Sequence, residues 1–247
     1  MSIEACAALV SRADPDRFAT SMAAPLSARR VLFPTFAFNL EVARAPMVTQ
    51  EAMIAEMRLQ WWRDALDEIV KGQEVRAHEV ATLLAQAIST QGAEALDRLV
   101  AARRWDIYRD PFEDEVHFDG YLRATGGALL WAQALALGVD NEHEENVLAL
   151  GEASALARFF VAVPGLKALG KTPLLTPDPD WIAGKAQRAL AIYAKALVEL
   201  KPLRCPAFLD TVTAPLVLKR ILKAPERVSD GSCDISPFRK RWALLRG

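Results

Sequence analysis

Three arginines set into otherwise apolar stretches, Arg44, Arg58 and Arg158, are the side chains of this 247-residue sequence best placed to do chemistry. A guanidinium keeps its charge at any ordinary pH and offers five donors in a rigid fork. Apolar surroundings therefore oblige it to find a carboxylate, a set of carbonyls or a bound phosphate. On a helical wheel at about 100° per residue, residues 50–71 divide into a polar arc and an apolar one. Glu56, Gln60, Arg63, Asp64, Asp67 and Lys71 form the polar arc; Ile54, Ala55, Trp61, Trp62, Ala65, Leu66 and Ile69 form the apolar one. Arg58 falls inside the apolar arc, which predicts a buried partner, and Glu41 is the first candidate. Glu41 can also pair with Arg44, three residues on. A structural ion pair and a grip on an anion are both open at this point.

Other constellations read as surface. Asp64-Ala65-Leu66-Asp67-Glu68 superficially looks like an aspartate-rich metal motif, but its acids share the polar arc with Arg63 and Lys71, so i,i+4 pairing accounts for them. His143-Glu144-Glu145-Asn146 lacks the second histidine of a zinc-protease helix. No nucleophile elbow, phosphate-binding glycine loop or dinucleotide fingerprint occurs. His78, His117 and His143 are scattered and read as surface or satisfied histidines. Cys6, Cys205 and Cys233 are odd in number and far apart, a pattern of free thiols in a reducing compartment.

The elements that must position the arginines are helical. Apolar residues recur at helical spacing nearly throughout, predicting helices near 2–12, 15–23, 26–45, 50–71, 78–90, 93–108, 118–138, 142–169, 180–200 and 206–223. Asp14-Pro15 reads as an N-cap followed by proline in the first turn, Thr49 as a second N-cap and Gly72 as a stop. The 26–45 segment is apolar almost all round, with Arg30, Glu41 and Arg44 gathered on one stripe, so it should be central. Pro34 inside it predicts a kink or break. The expected fold class is all-α, a single-domain helical bundle over 1–223, followed by a short extension, 224–247, with the basic and aromatic run Phe238-Arg239-Lys240-Arg241-Trp242. That run reads either as a solvated end or as a contact for a partner or an anionic membrane surface.

Composition narrows the classes further. Hydrophobic residues make up 52% and the net charge is −1, which argues against intrinsic disorder and against a nucleic-acid surface. The Ala-rich start, with Glu4 and Arg12, is unlike a signal peptide. No stretch is an uninterrupted apolar span, so the expectation is a cytoplasmic protein with at most peripheral membrane contact.

Four segments, in order, resemble squalene/phytoene synthase-like proteins of the isoprenoid synthase superfamily. They are Asp16-Arg17-Phe18 with Ala28 to Arg44, then Met57 to Leu66, then Tyr121 to Leu129 with its paired glycines, and Gly151 to Gly170. In catalytic members two aspartate-rich helices face each other and hold Mg2+ against a substrate diphosphate. The resemblance places those aspartates at Ala43, Arg44 and Met47, and at Ala162 and Leu166, with Arg158 at a preceding amide position. None is a carboxylate. The departure resembles a branch that includes a mitochondrial assembly factor for respiratory complex I and bacterial relatives with a similar Arg-Leu-Gln-Trp-Trp pattern.

What the resemblance implies is a ligand pocket without its metal. Its candidate lining, for an anion or another ligand, is Glu41, Arg44, Arg58, Trp62, Tyr121 and Arg158. No catalytic or metal-binding residue is carried over, and no Mg2+ or other cofactor is expected. Three readings follow: a silent synthase fold serving as an assembly or binding protein; a metal-independent site in which arginines meet an isoprenoid diphosphate; and a prenyl transferase using Glu41, Glu56 or Asp64. The expected partner is a protein or an isoprenoid diphosphate, not nucleic acid.

Overall fold

The computed structural model describes residues 2–49 and 51–246. Thirteen α-helices follow one another, and no strand occurs among the described residues. They are α1 (Ile3–Ala13), α2 (Pro15–Ala23), α3 (Leu26–Arg44), α4 (Ala52–Val70), α5 (Ala81–Ala87), α6 (Thr90–Ala102) and α7 (Glu115–Leu122). Then come α8 (Ala128–Ala136), α9 (Glu144–Ala168), α10 (Pro179–Leu200), α11 (Ala214–Lys223), α12 (Arg227–Asp230) and α13 (Pro237–Arg246). The all-α bundle expected from the periodicity is the fold observed.

Two helices form its centre. Eleven residues of α3 are buried, Ala28 through Val42, as its nearly uniform apolarity requires. Pro34 does not break it: α3 runs unbroken from Leu26 to Arg44. The fixed proline φ suits a helix, and Thr35 Oγ1 donates to the Val31 and Leu32 carbonyls at 2.8 and 3.1 Å in the turn that proline weakens. α9 is the second. With its preceding turn (residues 141–168) it is long and apolar enough to cross a bilayer, yet it lies in the core, packed on α8, α10 and α11.

Helix ends follow the expected chemistry with two exceptions. The Asp14 carboxylate accepts from Arg17 N–H at 3.0 Å, with Pro15 in the first turn, and Gly72 turns the chain at φ +63°. Thr49, however, does not cap α4 directly. Its hydroxyl accepts from Glu51 N–H at 3.1 Å, and Glu51 occupies the cap position. The 93–108 helix starts three residues earlier, because the Ser89 hydroxyl accepts from Gly92 N–H at 3.2 Å.

The predicted 118–138 helix divides into α7 and α8 around a π-turn, Arg123–Gly127. A π-turn inserts one extra residue and re-aims the side chains beyond it. Here it presses Gly126 and Gly127 onto α9. A Cβ added to Gly151 would stand 2.7 Å from both the Gly126 carbonyl oxygen and the Gly127 Cα, so the two backbones touch directly. Tyr121 and Thr125 on one side of that contact, and Ser154 and Arg158 on the other, border the same cavity.

Candidate functional site

A cavity of about 710 Å3 opens between α3, α7, the π-turn and α9. Asn39 and Ala43 face it from α3; Tyr121 and Thr125 from α7 and the π-turn; Ser154, Arg158, Ala162 and Leu166 from one stripe of α9. Met47 and Leu169 line it while remaining 63% and 54% exposed, and so mark its mouth. Five cations reach the cavity, Arg17, Arg103, Arg109, Arg158 and Lys171, against two carboxylates, Asp106 and Asp210.

Those charges fall into two clusters. In the first, Asp210 receives Arg17 Nε at 3.4 Å and Arg158 Nη2 in a short contact, and Arg158 also reaches the Asp210 backbone carbonyl at 2.9 Å. Arg17 and Asp210 are both buried, and the Arg17 guanidinium lies 4.9 Å from the Phe36 ring centre. Burial pulls the Arg17 pKa down and Asp210 opposes it; for Arg158, burial acts the same way, but Asp210, Asp14 and Asp16 outweigh it and raise the pKa. Burial alone would raise the Asp14 carboxyl, yet Arg17, Arg158 and the N-cap bond hold it below the usual carboxylate range.

In the second cluster, Arg103 Nη1 donates to the Tyr121 hydroxyl at 2.7 Å and to Asp106 at 2.9 Å. The Tyr121 hydroxyl donates to Asp106 at 3.1 Å. Burial, reinforced by the neighbouring carboxylate, pushes the Tyr121 pKa upward, so the phenol stays neutral. Lys171 ties this segment down through the Asp106 and Tyr108 carbonyls at 2.6 and 2.9 Å. Trp105 stacks on Phe112 with ring centres 4.0 Å apart and closes the wall behind Tyr121.

Of the six residues named from sequence, Tyr121 and Arg158 line the cavity, whereas Glu41, Arg44, Arg58 and Trp62 do not. Trp62 is buried elsewhere, edge-on to Phe38 at 5.2 Å and beside His78. His78 is satisfied in its own right, its Nδ1 accepting from Val80 N–H at 3.2 Å. Glu41 is half-buried and Arg44 exposed at the last turn of α3. The burial expected for Arg58 is not found. In the first turns of α4 only Ala55 and Leu59 are covered, while Met53, Ile54, Met57 and Arg58 are exposed. An apolar arc fixes the direction of the core but not how far along the helix the core extends. Ion pairs formed on α4 instead include Arg63–Asp97 at 2.7 Å, Lys71–Asp67 at 2.6 Å, Glu68–Arg76 at 2.6 Å and Glu56–Arg104 at 3.0 Å.

Sequence reasoning passed over Arg17, Arg103, Asp106, Lys171 and Asp210. Arg103 with Asp106 and Asp14 with Arg17, each pair three apart on one turn, were the available local signals.

The profile of squalene/phytoene synthases matches residues 10–174, which carry every helix of the cavity except the Asp210 segment. The chain belongs to the squalene/phytoene synthase family. Among curated members, a Drosophila melanogaster protein named NADH dehydrogenase (ubiquinone) complex I, assembly factor 6 homolog is 29% identical over 170 residues, 64% of this chain and 50% of that protein. The chain thus spans half the length of that relative. Human NADH dehydrogenase (ubiquinone) complex I, assembly factor 6 is 23% identical over 243 residues, 87% of this chain and 72% of that protein. Among solved structures, a dehydrosqualene synthase in complex with ligand superposes with a TM-score of 0.79 at 13% identity, over 99% of this chain and 94% of the other. The squalene synthase HpnC from Alicyclobacillus acidocaldarius gives 0.73 at 18% identity, over 93% and 94%. At those identities the superpositions establish the fold alone.

Within that fold, four of the five positions that the family resemblance assigns to metal-binding aspartates do face the cavity. Ala43, Met47, Ala162 and Leu166 present apolar side chains to it. The fifth, Arg44, is exposed at the end of α3.

Proposed function

We propose that this protein is a non-catalytic member of its family, an assembly or binding protein that keeps the prenyl-transferase-like fold without the metal-dependent reaction. The observation that carries this reading is the cavity wall itself. A diphosphate-bound Mg2+ takes hard oxygen ligands arranged around it. At Ala43, Met47, Ala162 and Leu166 the wall offers none. The two carboxylates that do reach the cavity are already held by guanidinium groups, Asp210 by Arg17 and Arg158, Asp106 by Arg103. Among the described residues no three His, Cys, Asp or Glu side chains converge as a ligand set. The residues present do not fit the metal.

The relatives' names support the assembly role, which in this reading is exercised on a multisubunit NADH dehydrogenase. Met47, Val48, Met53, Ile54 and Met57 give such a protein a surface to use. They are 39–75% exposed around the cavity mouth and the start of α4, and exposed apolar runs of this kind mark interaction sites. The test is turnover. Purified protein incubated with farnesyl diphosphate and Mg2+ is expected to release no pyrophosphate above a protein-free control. Mg2+-dependent release, lost on adding EDTA, would falsify the proposal.

A further inference from the structure

The last helix, α13, carries a feature that neither the cavity nor the proposed assembly role uses. It packs on α2 through one side only: Lys240, Ala243 and Leu244 are half-buried. Lys240 Nζ is the anchor, donating to Asp16 at 2.6 Å and to Asp234 at 2.8 Å. The opposite side presents Phe238, Trp242 and Leu245, which are 74%, 48% and 81% exposed. Their i, i+4, i+7 spacing puts them in one stripe. The Phe238 and Trp242 rings lie nearly parallel, 6.3 Å apart, and Arg246 sits over Trp242 at 4.6 Å.

Arg239, Arg241 and Arg246 flank the stripe, all exposed, and the helix contains no acidic residue. The nearest carboxylates, Asp16 and Asp234, are engaged by Lys240. Outward cations and outward apolar groups therefore share one convex face. We infer that this face docks on an anionic phospholipid bilayer, with Phe238, Trp242 and Leu245 seated at the headgroup boundary and the three arginines on lipid phosphates. The chemistry matches on both counts. Indole and phenyl rings prefer the interfacial zone, long basic side chains reach from apolar depth to phosphate, and anionic lipids favour basic helices. Cations border the apolar stripe on both sides with no acidic residue in the helix, and anionic headgroups complement that charge along the whole face.

The test uses the whole 247-residue chain. Co-sedimentation is measured with phosphatidylcholine vesicles alone and with vesicles also containing phosphatidylglycerol. Binding is expected only to the anionic vesicles and should weaken as salt rises. Phe238→Ala with Trp242→Ala, and separately Arg239→Gln with Arg241→Gln, should each lower the partition coefficient about 10-fold or more. All four side chains are exposed, so the variants should keep the parent melting temperature. Absence of binding to anionic vesicles overturns the inference, as does binding that both double variants leave intact. Equal binding to double-stranded DNA, insensitive to Phe238 and Trp242, would mark a general polyanion surface and overturn it too.

Discussion

Removing the Asp210 carboxylate is the most informative single perturbation of the cavity. Its partners lie far away in sequence, Arg17 at a separation of 193 residues and Arg158 at 52, so the cluster staples α2 and α9 to the segment before α11. Arg17 and Asp210 side chains are 10% and 9% exposed, whereas Arg158 is 34% exposed toward the cavity. Breaking a buried pair by deleting one member costs about 3–5 kcal/mol, because the remaining charge stays desolvated. Cavity water relieves Arg158, so the lower limit applies, roughly 3 kcal/mol for Asp210→Ala. For a domain of this size that corresponds to a fall in Tm of about 6–12 °C.

Urea denaturation followed by far-UV circular dichroism measures the effect directly, provided m is unchanged. Replacing Arg17 and Asp210 together by Met and Leu should restore most of the loss, since a well-packed apolar pair substitutes for a buried ion pair. Asp210→Ala should also free two guanidinium groups and raise the affinity for inorganic pyrophosphate, measured by calorimetry. A stability change under about 0.5 kcal/mol, with pyrophosphate binding unaltered, would refute the reasoning, because that is the scale of an ordinary surface substitution.

Gly151→Ala should destabilise by about 1–3 kcal/mol, the cost of overpacking, since its Cβ would meet backbone at 2.7 Å. Gly120→Ala, with nothing within 4 Å in α7, should instead stabilise by roughly 0.5–1 kcal/mol, and urea midpoints compare the two. The Asp14 carboxyl is held below its ordinary pKa in the folded state. Its contribution is therefore fully present above the unfolded value of about 4 and is lost as pH falls through the lower folded value. Stability measured from pH 7 down to the acid limit should accordingly fall more steeply in the parent than in Asp14→Asn. Arg58→Ala, at an exposed position, should change the urea-unfolding free energy by less than about 0.5 kcal/mol; a loss of several kcal/mol would restore the buried partner that its sequence setting suggests.

Much of the fold could be read from the chain because local periodicity and packing agree. α3 and α9 are apolar on nearly every face, and both prove central. Of the six candidate lining residues, Tyr121 and Arg158 were legible, both lying on segments that carry the family resemblance, whereas the close approach of Gly126 and Gly127 to Gly151 emerges only in the structure. The remaining cavity charges were not legible. Asp210 is a single acid in an apolar segment, and nothing local connects it to Arg17 or Arg158. Arg58 misled for the converse reason, its apolar neighbours being on a helix whose first turns extend beyond the core. The π-turn also lay beyond reach, since a one-residue insertion leaves the apolar pattern of 118–138 almost unchanged. The basic run at 238–242 was visible as composition; that it forms a helix pinned by Lys240, with its aromatic stripe turned outward, is a tertiary fact.

A cavity that has lost the metal-bridged diphosphate site of its family should hold a prenyl diphosphate no more tightly with Mg2+ than without it. A thermal-shift titration with farnesyl diphosphate, run in parallel in Mg2+ and in EDTA, tests it most directly. The same Tm response is expected in both series at every ligand concentration, because Ala43, Met47, Ala162 and Leu166 leave the metal nothing to bind. Stabilisation that grows with ligand in Mg2+ and vanishes in EDTA would contradict it.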